Sequence, residues 1–122
     1  MKLVHHTPDN PHHLTGHGPG FVLVNEEKFT HSLVISPTRL QRHWAPNFAS
    51  LTADHFTELL QFEPELVIFG SGSIFRFPDP SLSHALMAQS IGMEVMDTAA
   101  ACRTYAVLAS EDRRVVAALL VE

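Results

Sequence analysis

Two uninterrupted apolar runs, Leu66-Val67-Ile68-Phe69 and Val115-Val116-Ala117-Ala118-Leu119-Leu120-Val121, constrain the fold of this chain more than any other feature. A strand with one face in water alternates apolar and polar residues. A short run that is apolar at every position must have both faces covered, which is the situation of an internal strand, often a parallel one, in a sheet packed by helices. Both runs are therefore read as internal strands. Parallel neighbours need crossover connections, so the order hairpin, helix, strand, helix, strand, helix, strand demands a mixed sheet with helices covering it. A length of 122 residues matches one domain, and the whole chain, residues 1–122, is expected to form a single α/β unit with one N-terminal β-hairpin and about three helices.

The other elements follow from turn and cap signals. Leu3 to His5 reads as a short strand, Thr7-Pro8-Asp9-Asn10-Pro11 breaks it, and a loop continues to Gly20. Phe21 to Asn25 and Phe29 to Ser36 are rich in β-branched and aromatic residues and predict the two strands of the hairpin, joined by the polar turn Asn25-Glu26-Glu27-Lys28. From Ser36-Pro37 through Trp44 to Pro46 the chain reads as a long crossover. Thr52 or Asp54 can cap a helix to about Gln61, with Phe56, Leu59 and Leu60 facing the core. Pro80 can start a second helix and Gly92 end it. Met93 to Asp97 predicts a strand, and Thr98 to Ser110 a third helix in which Ala101, Cys102, Tyr105, Leu108 and Ala109 recur at helical spacing.

Charge and cysteine usage exclude several classes. The formal net charge is -5 and the basic residues are scattered apart from Arg113-Arg114, so no basic stripe tracks a phosphate backbone and nucleic acid is not an expected partner. Cys102 is the only cysteine, which rules out an intramolecular disulfide framework and a thiolate-rich zinc site. Met1-Lys2-Leu3-Val4-His5-His6 has no apolar signal core, and no apolar run reaches the length of a membrane span, so the expected location is the cytoplasm.

The second half carries a recognisable set of motifs: Glu65-Leu-Val-Ile-Phe-Gly70-Ser-Gly72, then Gly92-Met-Glu94-Val-Met-Asp97-Thr98-Ala-Ala-Ala-Cys-Arg103-Thr104-Tyr105, then Leu108 and Arg113-Arg114-Val115. In this combination the chain resembles the Mth-type domain family, a group of bacterial and archaeal proteins whose eukaryotic relatives include the mitochondrial complex I assembly factor 3 and an adipogenesis-associated protein. The resemblance implies a three-layer α/β domain around a mixed sheet. It implies no reaction, and it assigns no role to the N-terminal histidines.

Three groups of residues are candidates for a site. Gly70-Ser71-Gly72 lies at the carboxyl end of a predicted internal strand, where open α/β sheets bind ligands. It is not a dinucleotide fingerprint, because Phe75 stands at the third glycine position and Pro78 and Pro80 intervene before the next helix. Asp97 and Thr98 end the neighbouring strand and start a helix, so with Arg103 they outline a small anion crevice beside the glycine turn, although capping is the commoner job for such residues. The loop aromatics Trp44, Phe75 and Phe77 either cap the sheet or anchor another protein chain.

The remaining polar residues suggest less. His5, His6, His12, His13 and His17 read as ordinary loop histidines, since a proline-rich loop offers no rigid frame for a metal. Cys102 falls on the apolar stripe of its helix, where a thiol stays protonated and inert. No catalytic constellation is legible, and no cofactor or metal is expected. The reading favoured is a non-enzymatic protein-binding or assembly-helper domain, with an unknown protein partner or a second copy on the aromatics. The alternative is a small-molecule or anion-binding protein, or an enzyme, that uses the crevice at Gly70-Ser71-Gly72 and Asp97-Thr98.

Overall fold

The computed structural model describes residues 11–122. The strand expected at Leu3 to His5, and His5 and His6, lie outside the described residues. In chain order the elements are β1 (Leu14–Gly18), β2 (Phe21–Val24), β3 (Glu27–Phe29), β4 (Leu33–Ile35), β5 (Leu40–Gln41), α1 (Ala53–Thr57), β6 (Leu66–Gly70), α2 (His84–Ala88), β7 (Gly92–Met96), α3 (Thr98–Ser110) and β8 (Val115–Leu119). They form a three-stranded antiparallel sheet, β1-β2-β3, and a five-stranded mixed sheet in the order β5-β4-β8-β6-β7. Within the larger sheet β7, β6 and β8 run parallel, while β4 is antiparallel to both β5 and β8.

The apolar runs behave as their composition requires. Because successive side chains on a strand point to opposite faces, β6 and β8 divide their residues between two cores. Ile68, Ala117 and Leu119 pack with Val22, Val24 and Phe29 of the small sheet and Ala101, Cys102 and Tyr105 of α3. Val67, Phe69, Val116, Ala118 and Leu120 pack with Trp44, Phe56, Leu59 and Leu86 on the other side. The five-stranded sheet is thus the middle layer, between α3 with the small sheet and α1 with α2.

Four local expectations are corrected. The stretch read as a loop up to Gly20 contains β1, which pairs with β2 through Gly18↔Phe21 and His17↔Val22. The hairpin turn is tighter than expected: Asn25 and Glu26 both take positive φ, 50° and 72°, the backbone of a two-residue turn whose twist suits antiparallel strands. The predicted strand from Phe29 to Ser36 is two strands in different sheets, β3 and β4, which lets one chain segment pass from the outer layer to the middle one. Gly92 does not end the second helix. That helix stops at Ala88, Ser90 takes the positive φ of 60°, and Gly92 already opens β7. The first helix is a single α-turn that tightens into a 3-10 segment, Glu58–Phe62. The third helix keeps its predicted bounds, with the Asp97 carboxylate accepting from the Ala100 amide at 2.8 Å.

Tyr105 presents an anomaly inside this packing. It is buried to 1% exposure, and among the described residues its hydroxyl has no hydrogen-bond partner. Burial pushes its ionisation well above the ordinary tyrosine range. Leaving a buried hydroxyl unpaired costs about 1–3 kcal/mol, so Tyr105→Phe is expected to leave stability unchanged or raise it by about 1 kcal/mol. A lower midpoint in urea denaturation of Tyr105→Phe would show that the hydroxyl contributes to stability after all.

Candidate functional site

The carboxyl ends of the three parallel strands meet at one place. As β6 ends, Ser71 N–H donates to Met96 O at the end of β7, and Leu120 N–H donates to Gly70 O from the end of β8, each at 2.9 Å. Thr98 then ties the three chain segments together. Its amide donates to Gly72 O at 2.9 Å, its hydroxyl donates to Leu120 O at 2.6 Å, and the same hydroxyl accepts from Gly72 N–H at 2.9 Å. Gly70 has no room for a side chain: a Cβ there would stand 2.9 Å from both Leu119 Cδ2 and Thr98 Oγ1. Gly72 is required for a different reason, a φ of 100° that L side chains rarely adopt.

Around this knot lies a cleft of about 450 Å³, lined by His17 and Phe21 from the small sheet and by Gly72, Asp97, Thr98 and Glu122 among others. Gly70, Ser71, Gly72, Asp97 and Thr98 are therefore brought together, but each is committed to the fold. The Ser71 hydroxyl donates to Ile74 O at 2.7 Å and accepts from the Arg76 amide at 3.1 Å. Asp97 caps α3. Arg103 is not gathered in: it is exposed on α3 and does not line the cleft. No lysine or arginine lines the cleft, and the guanidinium that reaches its edge, that of Arg76, is already paired with Glu122 at 3.0 Å, so the cleft offers an anion no free countercharge.

The loop after Gly72 carries the exposed aromatics. Phe75 and Phe77 meet edge to face with ring centroids 5.0 Å apart, and they are 52% and 70% exposed beside Ile74 at 64%. Their position is held by Arg76, whose side chain points the other way. Its guanidinium stacks on Phe48 at 4.5 Å, donates to Ser71 O at 3.0 Å and pairs with Glu122 at 3.0 Å. Trp44, grouped with these aromatics on sequence grounds, is instead a core residue at 7% exposure; it packs edge-on against Phe56 and Phe69 and donates from its indole N–H to His55 O at 3.1 Å. Sequence reading missed Arg76 and Glu122. They are 46 residues apart, and no local pattern announces their pairing.

A second hollow, about 700 Å³, opens at the other end of the sheet between Phe62, Ile91, Arg113 and Arg114. Glu65 organises its rim, accepting from the Arg114 amide at 2.8 Å and from Arg113 Nε at 3.1 Å. Those two contacts, the amide first, hold the Glu65 carboxyl below its usual range. Cys102 is buried in the α3 core, and burial pushes its thiol up to about 12, which leaves it protonated near neutrality. Among the described residues no three His, Cys, Asp or Glu side chains are placed to share a metal ion. No helix among them is long and apolar enough to cross a membrane.

Fold and cleft together define a three-layer α/β domain whose strand-end polar groups brace the backbone and whose exposed aromatic pair, Phe75 and Phe77, sits on the adjoining loop. The chain belongs to the family described as "Protein of unknown function (DUF498/DUF598)", whose model matches residues 14–120. Among solved structures it is similar to a Bordetella parapertussis protein at 34% identity and a TM-score of 0.85, over 91% of this chain and 96% of that one. It is also similar to a Bordetella pertussis protein described as a Mth938-like domain, at 27% identity and a TM-score of 0.81, over 99% and 92% of the two chains. Two curated relatives are more distant. One is a Francisella tularensis protein named "13 kDa major membrane protein", 24% identical over 79% of this chain and 80% of that protein. The other is NADH dehydrogenase [ubiquinone] 1 alpha subcomplex assembly factor 3 of Xenopus tropicalis, 26% identical over 84% of this chain. The chain spans only 56% of that assembly factor's length.

Proposed function

We propose that this chain is a protein-binding assembly helper of the cytoplasm, with Ile74, Phe75 and Phe77 as the anchor for its client. The observation that carries this reading is the exposure of three large apolar side chains on a loop that Arg76 and Ser71 pin from beneath. Binding hot spots are typically aromatic groups that become fully desolvated on contact. A loop ordered before binding loses less conformational freedom when the partner arrives. The cleft supports a ligand-binding or enzymatic reading less well, since its hydroxyls and carboxylates are engaged in structural bonds. The client on this reading is a protein subunit awaiting assembly, and the name of the Xenopus relative makes a respiratory-complex subunit the first one to test.

Because the two rings face solvent, Phe75→Ser with Phe77→Ser should leave the melting temperature within about 2 °C of the parent while lowering capture of the client at least about tenfold, the loss typical of removing one or two anchors. Equal capture by a variant with an unchanged melt would rule out the aromatic loop as the binding surface.

A further inference from the structure

The larger sheet ends on one side in β5, a two-residue strand, and on the other in β7, five residues long. Very short edge strands are self-limiting, but a five-residue edge presents unpaired backbone groups to any extended chain. Among the described residues β7 is paired only with β6, and the one further backbone bond to it is Ser71 N–H to Met96 O at its end. The strand contains no proline or lysine, the usual devices that blunt an edge. It does contain Glu94, exposed at the centre of the strand, whose side chain makes no ion pair or hydrogen bond among the described residues.

The alternation of side chains gives this edge a definite pattern. Met93 and Val95 are half-buried on the face shared with α1 and α2, whereas Met96 is half-buried on the α3 face. By the same alternation Glu94 stands on the α3 face. A strand added beside β7 would continue the Met93 and Val95 row with its own apolar residues and set one residue directly opposite Glu94. A second copy of this chain, paired antiparallel about a two-fold axis at Glu94, satisfies the first requirement because Met93 then faces Val95 of the copy. It fails the second, because Glu94 faces Glu94, and like charges directly opposite each other on a sheet are destabilising.

We propose that β7 is a strand-addition edge for an extended segment of another protein with the pattern apolar, lysine or arginine, apolar, and that Glu94 bars the same edge to a second copy of this chain. The surface is separate from the aromatic loop, and the proposal does not depend on the role assigned to that loop.

The test uses a copy of the chain as its own probe. Glu94→Lys turns β7 into a segment with a basic residue flanked by Met93 and Val95. The full-length chain carrying Val95→Cys is mixed, under mild oxidation, with a full-length chain carrying both Met93→Cys and Glu94→Lys. The control mixture has the same two cysteines and Glu94 in both chains. Cross-strand neighbours stand about 4.5–5.5 Å apart, within reach of a disulfide after small adjustment, and buried Cys102 does not compete. The Glu–Lys mixture is expected to give roughly fivefold more crosslinked pair than the Glu–Glu control, and the difference should shrink at high ionic strength. Equal yields in the two mixtures, or no crosslink in the Glu–Lys mixture, would overturn the proposal. A measurement without introduced cysteines guards against misfolded variants. Amide exchange across residues 92–96 of the parent chain should slow when Glu94→Lys is added and stay unchanged when more parent chain is added; unchanged exchange in both cases overturns the proposal equally.

Discussion

Phe69→Ala is expected to lower the unfolding free energy by about 3–5 kcal/mol, the largest single-site loss foreseen for this chain. Phe69 has no solvent exposure. Its ring contacts Trp44 at 6.1 Å, Phe56 at 5.7 Å and Phe48 at 6.4 Å between centroids. The same cluster holds together β6, the segment before α1 and, through Phe48, the ring on which Arg76 stacks. Alanine would remove the apolar area and leave a void that three large aromatic rings cannot close without departing from their own packing. Urea denaturation with an unchanged slope would give the loss directly. A loss below about 1 kcal/mol would mean that the cluster collapses into the space, and the rigidity ascribed to the neighbouring loop would have to come from Arg76 and Ser71 alone.

Thr98→Val should follow with a loss of about 2–4 kcal/mol, through polar groups rather than apolar area. Valine matches threonine in shape but cannot accept from Gly72 N–H or donate to Leu120 O, which would stay buried with those bonds unmade. Stranding a buried donor or acceptor costs about 1–3 kcal/mol. The added methyl would also press toward the space beside Gly70 that is already closed to a Cβ. Thr98→Ser keeps the hydroxyl and should lose about 1 kcal/mol or less. A serine variant as unstable as the valine variant would shift the explanation from the hydrogen bonds to the packing of the methyl group. The comparison also tests the site: if Thr98 were mainly a ligand group, Thr98→Val would leave the fold intact.

Much of the architecture was legible because it rests on local rules. Two apolar runs can be satisfied only between two covered faces, and β6 and β8 are the inner parallel pair of the larger sheet. Helix α3 keeps the bounds predicted from its cap and spacing because Asp97 and the Ala101, Cys102, Tyr105 stripe act within a few residues of one another. The meeting of Gly70-Ser71-Gly72 with Asp97-Thr98 was foreseeable for the same reason, since adjacent parallel strands bring their carboxyl ends to one edge.

What the sequence determined by itself is thus the set of elements whose burial is forced by composition and whose ends are set by neighbours along the chain. The tertiary structure alone decided the rest. β1 has few apolar residues and exists because β2 supplies its hydrogen-bond partners. The stretch from Phe29 to Ser36 divides because its two ends find partners in different sheets. Trp44 turns into the core and Phe75 and Phe77 turn out, although all three lie in loops that read alike as sequence. Arg103 stays apart from the cleft while Arg76 reaches Glu122 across 46 residues. The physical reason is common to all four: a side chain in a loop, or a strand without an apolar face, takes its direction from contacts far along the chain, and those form only when the layers close on one another.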